Sequence, residues 1–279
     1  MLDYDNSADD VHRLHRKRGK CMPQTPSNKT TPLRPIKWYK MLATSKGRRE
    51  AGVFLIEGDR AIRQIIESQP DEITEIITKE EMPPVYSNYP RREVTESQFR
   101  TICLTKTPQG PLAVVRMPQD VYSDLLPQDN GSRVLLLEDI QDPGNVGTLI
   151  RTAAAFDYTG VILSEKCADP LSPKCVQATA GSTLSLWLRR TPYYLELAET
   201  LKKNGYSLAV AELGGIDEPS VLRYQDRLLL ALGNEASGPS PLLLNSSDYR
   251  IRIAIAREKA ESLNVAACGA ICIYLSSQK

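Results

Sequence analysis

The sequence contains no run of 18 apolar residues, so nothing in it is built to cross a bilayer as a helix. It also has almost no net charge: 35 Lys and Arg against 34 Asp and Glu leave +1 at pH 7. No global field draws the chain to nucleic acid or membrane, and any polyanion site must be a local patch. Histidine is scarce, and both copies, His12 and His15, lie near the start. The six cysteines are scattered, with no CxxC and no Cys/His pair at zinc spacing. That leaves no recognisable metal site and points to reduced thiols in a cytoplasmic protein. The first residues are acidic (Asp3, Asp5, Asp9, Asp10) and lack an apolar core, so no secretory signal is expected. The chain also lacks a G-x-G-x-x-G fingerprint, which argues against NAD and FAD.

What remains is a chain of 279 residues, 41% apolar and 25% charged, with room for one large domain or two ordinary ones. Residues 1–35 are polar and carry Pro23, Pro26, Pro32 and Pro35, the composition of a disordered tail. Within it, "HRLHRKRGK" (His12–Lys20) reads either as a solvated basic cluster or as a non-specific phosphate contact.

Residues 36–117 alternate strand and helix. "VFLIEG", "ITEIIT" and "PLAVVRM" read as strands, and "DRAIRQIIES" (Asp59–Ser68) as a helix capped by Asp59. Residues 118–132 are rich in Pro, Asp, Gly and Ser and read as a linker. From Arg133 the alternation strengthens: "VLLLEDI", "GVILSE", "SLAVAEL", "RLLLALGNE" and "YRIRIAIA" are apolar runs suited to parallel strands buried on both faces. This order predicts a doubly wound α/β sheet, whose ligands sit beyond the carboxyl ends of the strands.

Three loops follow those strands. In "QDPGNVG", Asn145 is a candidate N-cap, and Gly144 and Gly147 would let backbone approach a ligand. Val146, Leu149, Ile150, Ala153 and Ala154 form the core-facing stripe of the helix that follows. Arg151 lies off this stripe and leans back over the loop. It reads either as a surface arginine or as a phosphate or oxyanion clamp. In "GNEASGPS", Gly233 and Gly238 have P-loop spacing, but Pro239 and Ser240 stand where Lys and Ser or Thr are needed, which excludes ATP and GTP. In "AREKAESLNVAACGAICIYL", Ser262 is a candidate N-cap for a buried final helix whose small residues would also suit a close contact between subunits.

Together, "QDPGNVGTLIRTAAAFDYTGVIL", "LALGNEASG" and "AESLNVAACGAICIYL" resemble the three motifs of the SpoU family, within the SPOUT superfamily of RNA methyltransferases. The match covers residues 133–279, and "ADPLSPKCVQATAGS" resembles the segment after the first motif. Upstream, "EAGVFLIEGDRAIRQII" and "LTKTPQGPLAVV" resemble the family's small RNA-binding domain, similar in fold to ribosomal protein L30e. The resemblance implies S-adenosylmethionine-dependent methylation of a ribose 2′-hydroxyl of RNA. It implies a C-terminal α/β domain with a parallel sheet and a deep trefoil knot, an N-terminal L30e-like domain, and a homodimer without metal or membrane. Ribosomal RNA is the expected substrate and transfer RNA the alternative; a further alternative is an RNA-binding or assembly protein that keeps the fold without catalysis.

Carried over, Leu232, Gly233, Ile253, Ile255 and Leu263 would bind the cofactor, and Asn145, Arg151, Glu235, Ser262 and Asn264 would form the catalytic set. Two features depart from the pattern: Ala254 stands where proline is usual, in a stretch one residue longer, and Gln177 stands where many members carry arginine. No core histidine offers a base, and arginine keeps its proton at pH 7. Arg151 is therefore expected to hold a phosphate and stabilise a developing alkoxide.

Overall fold

A computed structural model describes residues 34–79, 81, 83–103, 110–118 and 120–278. The expected tail with its basic cluster lies outside these residues, apart from Arg34 and Pro35. Two short helices open the described chain, α1 (Ile36–Met41) and α2 (Ser45–Ala51). Gly52 ends α2 in the left-handed region, at φ 65°, so that β1 (Val53–Glu57) starts at once. Next come α3 (Asp59–Ser68), β2 (Ile73–Thr78), β3 (Arg91–Glu93), α4 (Glu96–Ile102) and β4 (Leu112–Arg116). Their sheet has the order β1-β4-β2-β3, with β2 and β3 parallel and the other pairs antiparallel. The apolar stripe of α3, Ile62 and Ile65, is fully buried. Asp59 is not its cap. Gly58 holds that position, and the Asp59 carboxylate accepts from Arg63 and Tyr86.

The second half carries β5 (Arg133–Leu137), α5 (Pro143–Ala155), β6 (Gly160–Ser164), α6 (Pro173–Thr179), β7 (Trp187–Thr191) and α7 (Tyr194–Lys203). It closes with β8 (Ser207–Ala211), β9 (Leu228–Leu232), α8 (Pro241–Ser246), β10 (Tyr249–Ile251) and α9 (Val265–Ser277). All six strands are parallel, in the order β10-β8-β9-β5-β6-β7. The chain runs from β5 outward to β7 on one side and fills β8, β9 and β10 on the other. The direction therefore reverses between β5 and β9, the position where open parallel sheets hold ligands. Strand β7 is not foreseen from its sequence, because Arg189 and Arg190 interrupt its apolar pattern. Gly160 on β6 admits it: a Cβ there would sit 1.9 Å from the Trp187 ring.

The two halves are not separate bodies on a free linker. One contiguous cluster of buried side chains joins Phe54, Ile56, Ile65 and Val115 to Leu135, Val146, Leu149 and Ile273. The described part of residues 118–132 has no helix or strand, yet it is fastened down: Val121 is fully buried. Its carbonyl accepts from the Arg190 N–H at 2.7 Å, and Arg189 Nε donates to Leu125 O at 2.6 Å. Beside it, Arg48 of α2 donates to Asp169 Oδ2 at 2.5 Å and to the carbonyls of Leu42 and Ala43. Asp169 also accepts from the Tyr122 hydroxyl at 3.0 Å. Burial alone would raise the Asp169 carboxyl. The charge of Arg48, the Leu171 N–H, and the hydrogen bonds from Arg48 and Tyr122 outweigh it and hold the group below its ordinary value.

Candidate active site

The loops after β5 and β9 meet at the switch point. Glu235, from the β9 loop, accepts from the backbone N–H of Gln141 and Asp142, both at 3.3 Å, and from Asn145 Nδ2 at 3.1 Å. Asn145 Oδ1 in turn accepts from Asn264 Nδ2 at 3.2 Å. Three of the five expected catalytic residues, from three loops and up to 119 positions apart, thus form one hydrogen-bonded chain. Asn145 donates from Nδ2 and accepts at Oδ1, which fixes the orientation of its amide, and Glu235 only accepts.

The caps around this chain differ from expectation. Asp142, not Asn145, caps α5: its Oδ1 accepts from Gly144 N at 2.7 Å and Asn145 N at 3.0 Å. Lys174 donates to its other oxygen at 2.9 Å, and this bond, with those two N–H groups, holds the Asp142 carboxyl below its usual range. Asn264, not Ser262, caps α9, accepting from Ala266 N and Ala267 N at 2.9 and 3.3 Å. Asn264 therefore holds the helix with its oxygen and Asn145 with its nitrogen. Ser262 is exposed in the preceding loop.

The glycines of the first loop are required by packing within the protein. A Cβ on Gly147 would lie 2.4 Å from Cys175 O, because α6 presses on α5 there. One on Gly144 would lie 2.7 Å from the capping oxygen of Asp142. Arg151 is exposed on α5 and makes no hydrogen bond or ion pair with a described residue. It is six residues from Asn145, roughly 9 Å along the helix and well round its circumference.

A cleft of about 400 Å³ opens at the carboxyl ends of β8, β9 and β10, within the range typical of small-ligand sites. All five expected cofactor residues, Leu232, Gly233, Ile253, Ile255 and Leu263, line it. Glu235 and Ser262 lie on its wall as well, whereas Asn145, Arg151 and Asn264 do not. Sequence reading did not foresee Glu212, Gly214, Glu261 or Cys268, which also line it. Among the described residues the lining holds three carboxylates, Glu212, Glu235 and Glu261, and no lysine or arginine. Such a wall suits a ligand bearing positive charge and does not suit a polyphosphate. Gly233 is buried, and a Cβ on it would meet Pro239 N at 2.2 Å, so this glycine lets the loop fold back on its own strand.

These features define a class: a parallel α/β protein holding a small, cation-bearing ligand beside a switch point, with an amide–carboxylate chain at its rim. The SpoU rRNA Methylase family model matches residues 132–274, and the MRM3-like substrate binding domain model matches residues 34–113. The chain belongs to the SpoU family. It is 30% identical over 244 residues to the 23S rRNA (guanosine(2553)-2'-O)-methyltransferase RlmP of Bacillus subtilis, covering 86% of this chain and 94% of that one. Among solved structures it is similar to the SpoU methyltransferase AviRb of Streptomyces viridochromogenes in complex with AdoMet, with TM-score 0.73 and 25% identity. That match covers 86% of this chain and 95% of the other. It is also similar to the AdoMet-bound rRNA methyltransferase of Sinorhizobium meliloti, with TM-score 0.73 and 26% identity over 90% and 96% of the two chains.

Proposed function

We propose that this chain transfers a methyl group from S-adenosylmethionine to a ribose 2′-hydroxyl of ribosomal RNA. The observation that carries this reading is the chain Asn264–Asn145–Glu235 at the rim of the cleft. The cofactor, when bound, supplies an electrophilic methyl on a positively charged sulfur. The wall fits it: apolar Leu232, Ile253, Ile255 and Leu263 would hold the adenosine, and the carboxylates Glu212, Glu235 and Glu261 would favour the cationic part.

The roles of the chain's own residues follow. Glu235 fixes the loop before α5 through two backbone N–H groups and turns the Asn145 amide. Asn145 and Asn264 position the ribose, and orientation of this kind can supply ~7–11 kcal/mol of a displacement barrier. Arg151, exposed and without a protein partner among the described residues, takes the target phosphate and stabilises the developing alkoxide while the 2′-hydroxyl proton passes to solvent. Ser262 contributes its hydroxyl at the cleft wall.

The finer architecture belongs to the same reading. Residues 36–117 form an L30e-like domain that recognises RNA, supported by a separate four-stranded sheet and the substrate-binding match. Residues 118–132 join it to the methyltransferase domain, 133–279. That domain carries the family's trefoil knot; in support, α9 packs on both α5 and the turn Pro219–Tyr224. Two copies associate through α9, which is apolar on every side yet leaves Ile271 and Tyr274 exposed. The protein works in the cytoplasm. Among the described residues no helix is long and apolar enough to cross a membrane.

The test is methylation of purified rRNA and tRNA by the full chain, with nucleoside mass spectrometry and a parallel cofactor titration. 2′-O-methylated rRNA is the expected product. Methylation confined to tRNA would change the substrate, and RNA binding without methyl transfer would leave a non-catalytic protein. Arg151→Lys keeps the charge but loses the planar fork. It should cut single-turnover rate by on the order of 10²-fold while cofactor affinity holds; a wild-type rate would remove Arg151 from the chemistry.

A further inference from the structure

The cofactor loop Gly233–Pro239 lines most of one side of the cleft, yet little of it is regular structure. Its shape comes from the two residues that follow β5. At the loop's start, Asn234 Nδ2 donates to Asp139 O at 2.8 Å. At its end, Ser240 donates from both N and Oγ to the Glu138 carboxylate, at 2.7 Å each. The Glu138 N–H reaches Leu232 O at 2.9 Å, which ties the base of the loop to the same point.

Glu138 is 3% exposed, and its only other partner among the described residues is the Tyr194 hydroxyl at 2.6 Å. Asp139 has φ 58°, a left-handed conformation rare for a residue other than glycine. The Asp139 side chain explains its persistence: Ser164 Oγ donates to it at 2.6 Å, and its own N–H donates back to Ser164 Oγ at 2.8 Å. This turn sends the Glu138 side chain toward Ser240 and the Asp139 carbonyl toward Asn234. Neither Glu138 nor Asp139 lines the cleft.

We infer that Glu138 is a positioning residue for cofactor binding, a buried carboxylate that clamps the far end of the Gly233–Pro239 loop through Ser240 and so sets the shape of the cleft wall. This rests on the reading of the cleft as the S-adenosylmethionine site. Two of its three donors come from Ser240, the residue that follows the loop and caps α8, so this carboxylate fixes the point where the loop passes into that helix. Without it, the Ser240 N–H loses its acceptor, and the end of the loop loses its tie to β5, while its start stays held at Asn234, at Glu235 and by the internal turn in which Asn234 Oδ1 accepts from the N–H groups of Ala236 and Ser237.

Three variants of the full chain test this. Glu138→Ala should raise the calorimetric Kd and the KM for S-adenosylmethionine about tenfold or more, while kcat at saturating cofactor stays within about threefold. Glu138→Gln should restore most of the affinity: its amide oxygen still accepts from Ser240 N, and the two hydroxyls turn to accept from its NH2. Tyr194→Phe removes a Glu138 partner outside the loop, so it should lower Tm and leave affinity alone. The idea is overturned if Glu138→Ala binds cofactor like the wild type, if Gln and Ala are equally weak, or if Tyr194→Phe weakens binding as much as Glu138→Ala. Hydrogen exchange separates this from the cofactor assignment: Glu138→Ala should speed exchange at residues 234–240 beyond any global change, with no ligand present. Wild-type protein that binds no S-adenosylmethionine would sink the cofactor reading; unchanged loop protection in Glu138→Ala would sink the clamp.

Discussion

Asn264 does two jobs with one amide, and they can be separated. Its oxygen caps α9 through Ala266 N and Ala267 N, and its nitrogen holds Asn145. Asn264→Ala removes both. Loss of an N-cap costs about 1 kcal/mol, and the exposed bond to Asn145 adds a few tenths, since water replaces it. The expected loss is about 1–1.5 kcal/mol, a fall in Tm of roughly 2–6 °C for a chain of this size. Asn264→Asp keeps an oxygen for the cap and places a negative charge at a helix N-terminus, worth about 0.3–1 kcal/mol in its favour. It cannot donate to Asn145, so the Asn145 amide either faces another acceptor or turns over and abandons Glu235. Stability should therefore stay within about 0.5 kcal/mol of wild type. Single-turnover methylation at saturating RNA and cofactor should fall about tenfold or more, as expected of a displaced orienting group. Urea unfolding and the rate assay on both variants decide the matter. A stable Asn264→Asp protein with the wild-type rate would show that the chain from Asn264 to Glu235 has no part in the chemistry, and a loss above about 4 kcal/mol in Asn264→Ala would mean that the cap is not its main structural role.

Gly233→Ala drives a Cβ into the Pro239 backbone, so cofactor affinity and Tm should fall together. Gly214→Val has only Glu212 Oε2 near its Cβ, at 3.8 Å, so Tm should hold while calorimetric affinity drops; unchanged affinity would move the cofactor elsewhere. Asp169→Asn leaves the Arg48 guanidinium, 2% exposed, without its counter-charge and should cost about 3 kcal/mol at pH 7. Because Asp169 is held below its ordinary range, its contribution is complete above the unfolded carboxylate value of about 3.9 and fades as pH falls through the lower folded one. Urea titrations from pH 7 into the acid range should show the gap between wild type and Asp169→Asn narrowing as pH falls below the ordinary carboxylate value, and a constant gap would refute the ion pair's role. Ile271→Glu puts a charge on the exposed apolar side of α9 and should yield monomers by light scattering; a persistent dimer would place the interface elsewhere.

The parallel strands were legible because burial on both faces leaves a plain trace: β5, β6, β8 and β9 are nearly continuous Leu, Val, Ile and Ala. Helix α3 spans the residues its periodicity marks, Asp59–Ser68. Strand β7 left no such trace. Its Arg189 and Arg190 bond to the carbonyls of Leu125 and Cys167, and partners supplied by distant segments cannot be read from a local pattern. The caps were legible in principle. Proline is favoured at the first helical position, so Pro143 marks Asp142 as the cap and demotes Asn145. Residues 118–132 have the composition of a free linker, and only the apolar pair Val121 and Tyr122 hinted that the segment is pinned.

Glycine shows why a residue's presence near a site says less than what surrounds it. Four glycines in two loops invite one explanation, that backbone must approach a ligand. The structure gives three of them a protein neighbour, the Asp142 cap for Gly144, α6 for Gly147 and Pro239 for Gly233, and gives Gly238 a left-handed turn at φ 70° in open space. The ligand space is bounded by ordinary side chains, Ile253, Leu263 and Glu212 among them, on loops that the glycines allow to fold tightly. The sequence motif is therefore a record of how the cleft is walled, and only indirectly of what lies inside it. It follows that substitutions at these glycines report on folding and binding at once, whereas Gly214→Val, with room for a Cβ at the cleft wall, separates the two.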